Sequence, residues 1–160
     1  QLDSRAPGHP EYRWTSGVET TTGPLGQGIA TSVGMAIASK WQAARFNTPE
    51  FGLFDFDVYA IAGDGCLMEG VSHEAASIAG HQRLDNLCWF YDNNHITIDG
   101  HTDITYEDDV PTRSEGYGWN VTRIEDANDL DQIARAIEAS QHEISAPRPG
   151  SAPRNVLPAV

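Results

Sequence analysis

Apolar positions along the chain alternate between two periods. From Gly26, the residues Ile29, Val33, Ile37, Trp41 and Ala44 recur at three- and four-residue steps. That spacing predicts an amphipathic helix to about Phe46, stopped by Asn47-Thr48-Pro49. Residues 58–62 are short, apolar and β-prone, which predicts a buried parallel strand. A helix over 67–82 follows, with Met68, Val71, Ala75, Ile78 and Ala79 on one face, and then a second strand over 87–91. Ile96-Thr97-Ile98 continues the extended chain until Asp99-Gly100 turns it. Residues 107–118 hold a short helix candidate broken by Gly116 and Gly118, and 119–124 reads as a third strand. The helix over 128–143 takes Asn128 or Asp129 as its cap and turns Leu130, Ile133, Ile137 and Ile144 toward the sheet. Strands alternating with helices predict an α/β fold with a parallel sheet flanked by helices.

The two ends lack these periods. Residues 1–24 are rich in Gly, Pro, Thr and Ser and read as loop, with Pro24 suited to a first helical turn. From Ala146, APRPGSAPRNVLPAV holds four prolines and no periodic apolar pattern, so no packed element is expected there. The expected organisation is one partial domain over 1–145 and a Pro-rich, disordered or aberrant tail over 146–160. The opening Gln1-Leu2-Asp3 lacks a Met, as expected of a piece of a longer protein.

Charge narrows the partners. Ten basic against 23 acidic residues give a net charge of −13, which repels phosphate backbones and anionic membranes, so neither nucleic acid nor membrane is expected as a partner. No apolar run approaches the length of a membrane span. Cys66 and Cys88 form neither a disulfide framework nor a paired metal motif and read as reduced thiols of a cytoplasmic protein.

Candidate chemistry gathers where strands end. Gly63-Asp64-Gly65 follows the first predicted strand and Asp92-Asn93-Asn94 the second. In an open α/β sheet ligands bind at the carboxyl ends of strands, so both clusters can reach one ligand. The Asp64 carboxylate and the Asn94 amide oxygen are hard donors suited to Mg²⁺ or Ca²⁺, and Mg²⁺ in such sites shares its coordination with phosphates and water. The glycines flanking Asp64 let main-chain N–H groups approach a phosphate, and the following helix adds a favourable dipole. The pair reads as a site for a metal-bridged diphosphate. Each cluster taken alone is also what a plain turn contains. A Rossmann fingerprint fails because Met68 stands where its third glycine belongs, and a P-loop fails because the only Lys is Lys40, in a helix. An EF-hand starting at Asp92 fails at Ile96 and Thr97.

GDG at 63–65 followed by NN at 93–94 resembles the thiamine-diphosphate-binding motif. GHPE at 8–11, GVETTTGPLGQGIA at 17–30, GDGCLMEGVSHEAASIAGH at 63–81 and ITIDG at 96–100 narrow the resemblance to transketolase, over about residues 5–145. It implies an incomplete thiamine-diphosphate-binding (PP-type) fold. The implied cofactors are thiamine diphosphate and Mg (or Ca), with Asp64, Asn94 and the Ile96 carbonyl holding the cation and the Gly65 N–H meeting the diphosphate. It places Gly23 and Leu25 on the aminopyrimidine through their backbone, Ile98 on the thiazolium, and His9 on the sugar as the catalytic histidine. Glu69 and Glu74 would lie toward the interface of a homodimer. The implied reaction moves a two-carbon ketol unit from a ketose phosphate to an aldose phosphate, in the cytoplasm. Dihydroxyacetone synthase shares these motifs, and a non-catalytic binding or assembly subunit, or an inactive fragment, stands as the alternative. The family's pyrimidine-protonating glutamate belongs to a second domain, absent from these 160 residues, so the isolated chain is expected to bind cofactor weakly.

Overall fold

The computed structural model describes residues 8–145 and 154–158. A 20-residue helix, α1 (Gln27–Phe46), precedes strand β1 (Val58–Gly63), a single helical turn α2 (Asp64–Met68) and helix α3 (Gly70–Gln82). Strand β2 (Leu87–Asp92) leads into a small antiparallel pair, β3 (Ile96–Thr97) and β4 (Gly100–His101). Helix α4 (Val110–Gly116), strand β5 (Asn120–Ile124), helix α5 (Leu130–Ser145) and strand β6 (Arg154–Pro158) complete the order.

The four long strands form one parallel sheet in the order β1-β2-β6-β5. The expected α/β class with a parallel sheet between helices is the observed one. β6 departs from the expectation that nothing after Ala146 packs: Arg154–Pro158 lies between β2 and β5. Pro158 sits at the strand end, where a missing N–H is tolerated. The rest of the expected tail, 146–153 and 159–160, lies outside the described residues.

Alternation along the strands sorts the core into two layers. Val58, Ala62, Leu87, Trp89 and Tyr91 face α1 and α3, whereas Cys88 and Ile124 pack with Ala136 of α5. Two tryptophans anchor the first layer with ring centroids 4.3 Å apart. Each buried indole has its N–H satisfied, Trp89 by Ser32 Oγ at 2.9 Å and Trp119 by the Ala76 carbonyl at 2.9 Å. Gly80 is where α3 meets the turn before β5: a Cβ built there would stand 1.9 Å from the Tyr117 carbonyl oxygen.

Several predicted faces are rotated. Trp41 is 63% exposed, and Ile78 and Leu130 are also exposed, while Ser32 and Ser39 are buried on α1. The serine hydroxyls are accommodated because they donate to the Ile29 and Phe56 carbonyls. β1 is not buried on both faces, since Tyr59 and Ile61 are exposed at the sheet edge. The helix predicted over 67–82 starts earlier and is interrupted at Glu69, whose extended ψ of 135° separates α2 from α3. The cap of α5 is Asp129, whose Oδ1 accepts from the backbone N–H groups of Asp131 and Gln132. Ile144 lies outside the residues whose side chains are described.

Candidate diphosphate and cation site

The register of β1 against β2 sets the site. Val58 pairs with Leu87 and Gly63 with Asp92, so both strands end at the same level. Neighbouring strands lie roughly 4.8 Å apart. The chain leaving each strand therefore starts beside the other, and Asp64 opens its turn next to the Asn93-Asn94 loop.

Asp64 is the centre of this junction. It is 2% exposed, and both carboxylate oxygens are held. The backbone N–H of His95 donates to Oδ2 at 2.8 Å, and the Tyr91 hydroxyl donates to Oδ1. The ion pairs seen among the described residues, Lys40–Asp85 and Arg113–Asp108, lie elsewhere. A buried carboxylate with hydrogen bonds but no cation is costly, so the position favours a bound positive charge. Burial first, and then the hydrogen bond and charge of Asp64, push the Tyr91 phenol far above its ordinary value. That phenol stays protonated and remains a donor to Asp64.

Asn94 is exposed and folded into a local turn. Its Oδ1 accepts from the Ile96 N–H at 3.1 Å, and its Nδ2 donates to Asp92 Oδ2 at 3.0 Å. An amide oxygen has two lone pairs, so this geometry leaves one for a cation. Among the described residues no group of three His, Cys, Asp or Glu could enclose a metal. The donor set of one carboxylate and amide-type oxygens fits a cation whose shell is completed by a phosphate ligand and water, and it does not fit an all-protein cage.

The segment before α1 reaches the same place. Gly26 adopts φ +78°, and a Cβ there would approach Glu69 Cβ and Val71 Cγ1 to 2.9 Å, so only glycine lets this turn seat against the start of α3. Leu25 is carried over Gly65, where an added Cβ would meet its Cδ1 at 3.3 Å. Gly23 lies in the open just before. Thr21 ties in the residues around His9: its Oγ1 accepts from the Tyr12 N–H at 2.8 Å and donates to the Pro10 carbonyl at 2.9 Å. His9 itself is exposed, and Ile98, at 102% exposure, projects from the β3–β4 turn without packing on the core. The structure thus brings Leu25, Asp64, Gly65 and the 93–96 loop together, and leaves His9, Gly23 and Ile98 facing solvent. Glu69 and Glu74 are exposed as well.

The dipole expected behind the glycines is short, since α2 has five residues. Its C-terminal end is held by Arg113, whose Nη2 donates to the Leu67 carbonyl at 3.1 Å while Nη1 pairs with Asp108 at 2.7 Å. Tyr106 donates its hydroxyl to the same carbonyl at 3.4 Å, and the guanidinium lies 5.8 Å from the Tyr106 ring centre. Sequence reasoning missed both Tyr91 and Arg113. The signal for Tyr91 was a hydroxyl-bearing residue at an inward strand position next to the polar cluster; Arg113 carried none.

Comparison with known proteins gives a consistent result. The family described as "Transketolase, thiamine diphosphate binding domain" matches residues 1–150. Transketolase 1 of Vibrio cholerae is 54% identical over 147 residues, 92% of this chain and 22% of that protein. Transketolase 1 of Escherichia coli is 55% identical over 141 residues, 88% of this chain and 21% of that protein. Among solved structures, transketolase from Leishmania mexicana superposes with a TM-score of 0.82 at 40% identity, covering 99% of this chain and 23% of that one. A Pichia stipitis transketolase in complex with sedoheptulose-7-phosphate gives a TM-score of 0.82 at 45% identity, with the same coverage of each chain. The chain therefore spans about a fifth of the length of these relatives.

Proposed function

The chain belongs to the family of transketolase thiamine diphosphate-binding domains, and from that premise we propose that it supplies the diphosphate and cation half-site of a transketolase. The full-length enzyme would transfer a two-carbon ketol unit from a ketose phosphate to an aldose phosphate. The observation that carries this reading is the buried Asp64 carboxylate, fixed at the meeting point of the loops after β1 and β2 with no cationic side chain paired to it among the described residues.

Asp64 would contribute the charged oxygen to Mg²⁺ (or Ca²⁺), and Asn94 and the Ile96 carbonyl the neutral ones. The Gly65 N–H, in the first turn of α2 where no intrahelical acceptor exists, would donate to the diphosphate. Gly23 and Leu25 would border the aminopyrimidine with main-chain groups, and Ile98 would give the thiazolium an apolar wall. His9 would hydrogen-bond the sugar substrate. Bound thiamine diphosphate supplies the carbanion-stabilising chemistry that amino-acid side chains lack. The chain's own part is to orient that group and exclude water around it. Exposed Glu69 and Glu74, at the start of α3, would face a second copy in a homodimer. No helix among the described residues is long and apolar enough to cross a membrane. The free cysteines Cys66 and Cys88 support a cytoplasmic location for the enzyme.

The test is Asp64→Ala in the full-length protein. Calorimetric titration with thiamine diphosphate and Mg²⁺ should lose its cation-dependent binding while far-UV circular dichroism stays the same. Undiminished binding would remove Asp64 from the site and defeat the reading.

A further inference from the structure

We propose that Tyr91 is a positioning residue for Asp64, fixing the rotation of its carboxylate so that the outward lone pairs stay aimed at a divalent cation. The inference rests on the half-site reading above and deepens it. Tyr91 is buried on the α1 and α3 side of the sheet, in the core cluster with Trp89 and Leu87. Its ring is immobilised by that packing, so the hydroxyl is delivered from a rigid strand rather than from a loop.

The hydrogen-bond arithmetic gives the phenol one direction. Its oxygen lies against Asp64 Oδ1 and also 2.9 Å from Asn93 Oδ1. A phenol has a single proton, and an ionised carboxylate is the stronger acceptor. Two acceptors cannot share that one proton, so the Asn93 amide is turned over from this placement and presents its NH₂ group to the phenolic oxygen, an orientation the network decides. The result is a relay of donors from Asn93 through Tyr91 to Asp64 Oδ1, while the His95 N–H holds Oδ2. Each carboxylate oxygen is pinned by one donor and keeps lone-pair capacity for a cation. Removing the hydroxyl leaves the carboxylate anchored through Oδ2 alone and free to rotate. Loss of such an outer partner typically weakens metal affinity about 10- to 100-fold.

The experiment uses the full-length protein with Mn²⁺ as the probe, its free concentration followed by electron paramagnetic resonance during titration in the presence of thiamine diphosphate. Tyr91→Phe keeps the ring and should raise the Mn²⁺ dissociation constant about tenfold. Activity should return when Mn²⁺ is raised to saturation, which a purely structural defect would not allow. Asn93→Ala, at a half-buried position, guards against a folding failure of the first variant and should weaken Mn²⁺ binding measurably, by less than removing the pinning group itself. Wild-type Mn²⁺ affinity in Tyr91→Phe, or in Asn93→Ala should Tyr91→Phe not fold, overturns the inference while leaving Asp64 as a ligand. If the unmodified protein and Asp64→Ala take up Mn²⁺ identically, it is the half-site reading that fails, and the inference with it.

Discussion

The backbone N–H of His95 donates to Asp64 Oδ2 across 31 residues of sequence, at 2.8 Å. To do so His95 adopts φ 59°, a left-handed conformation uncommon for a non-glycine residue. The loop after β2 is thereby turned toward the start of α2, and the conformation of one residue sets where two loops meet.

His95→Gly should keep this arrangement, because glycine enters the left-handed region freely, and cation-dependent cofactor binding should persist. His95→Val should cost about 1–2 kcal/mol, since a β-branched side chain resists that conformation. Cation-dependent binding should weaken along with stability. Denaturant titration of the two variants beside calorimetry checks both halves, and equal behaviour of Gly and Val would refute the backbone argument.

Gly80→Ala should destabilise the domain without touching the site. The new methyl would collide with the Tyr117 carbonyl, a backbone atom that moves only if the turn before β5 moves. Overpacking of this kind costs roughly 1–3 kcal/mol. The urea midpoint should fall with little change in slope, and an unshifted midpoint would contradict the close contact.

Strong acid should loosen the helix starts. Backbone N–H donation from Thr112 lowers the pKa of Asp109 below its ordinary 3.8, and donation from Gln132 does the same for Asp129. A carboxylate whose folded pKa is depressed contributes stability that is present above its unfolded pKa and disappears as pH falls through the folded one. Both caps should therefore hold fully above the ordinary carboxylate value and be lost only as pH falls through the lower folded value. NMR titration should report both side chains below that value, and Asp129→Ala should abolish this component of the acid sensitivity of α5. A normal titration of Asp129 would exclude the capping role.

The isolated 160-residue chain should bind thiamine diphosphate weakly even with Mg²⁺. Gly23 and Ile98, proposed to border the cofactor rings, face solvent, so the cofactor would be covered on one side only. Burying only part of a ligand forfeits much of its affinity. Tight cation-dependent binding in calorimetry would contradict this expectation.

Much of this architecture can be read from the chain before folding. The run ending at Tyr91 declares itself because a central strand of a parallel sheet is continuously apolar; the run ending at Ala62 is equally apolar although β1 lies at the sheet edge, and the polar clusters after both mark strand ends. Helix faces were harder. Trp41, Ile78 and Leu130 fit an apolar stripe yet lie exposed, while Ser32 and Ser39 are buried because carbonyls and an indole satisfy them. Periodicity registers hydrophobicity and has no knowledge of which hydroxyl finds a partner. β6 was hidden by the prolines in and before it, since pairing on both sides with β2 and β5 is a tertiary circumstance. Tyr91 looked like one more strand residue, and its role depends on an aspartate 27 positions earlier in the chain.

The uncovered flank of β1 bears on handling the polypeptide by itself. Tyr59 and Ile61 project from an outermost strand that pairs only with β2 among the described residues, and Ile61 is 69% exposed. Such a margin combines greasy side chains with unused main-chain donors and acceptors, which is a template for a neighbouring molecule to add its own strand. Recombinant preparations of this piece should lose solubility as concentration rises, and a lysine in place of Ile61 should delay precipitation more than a charge placed on the solvent side of α5.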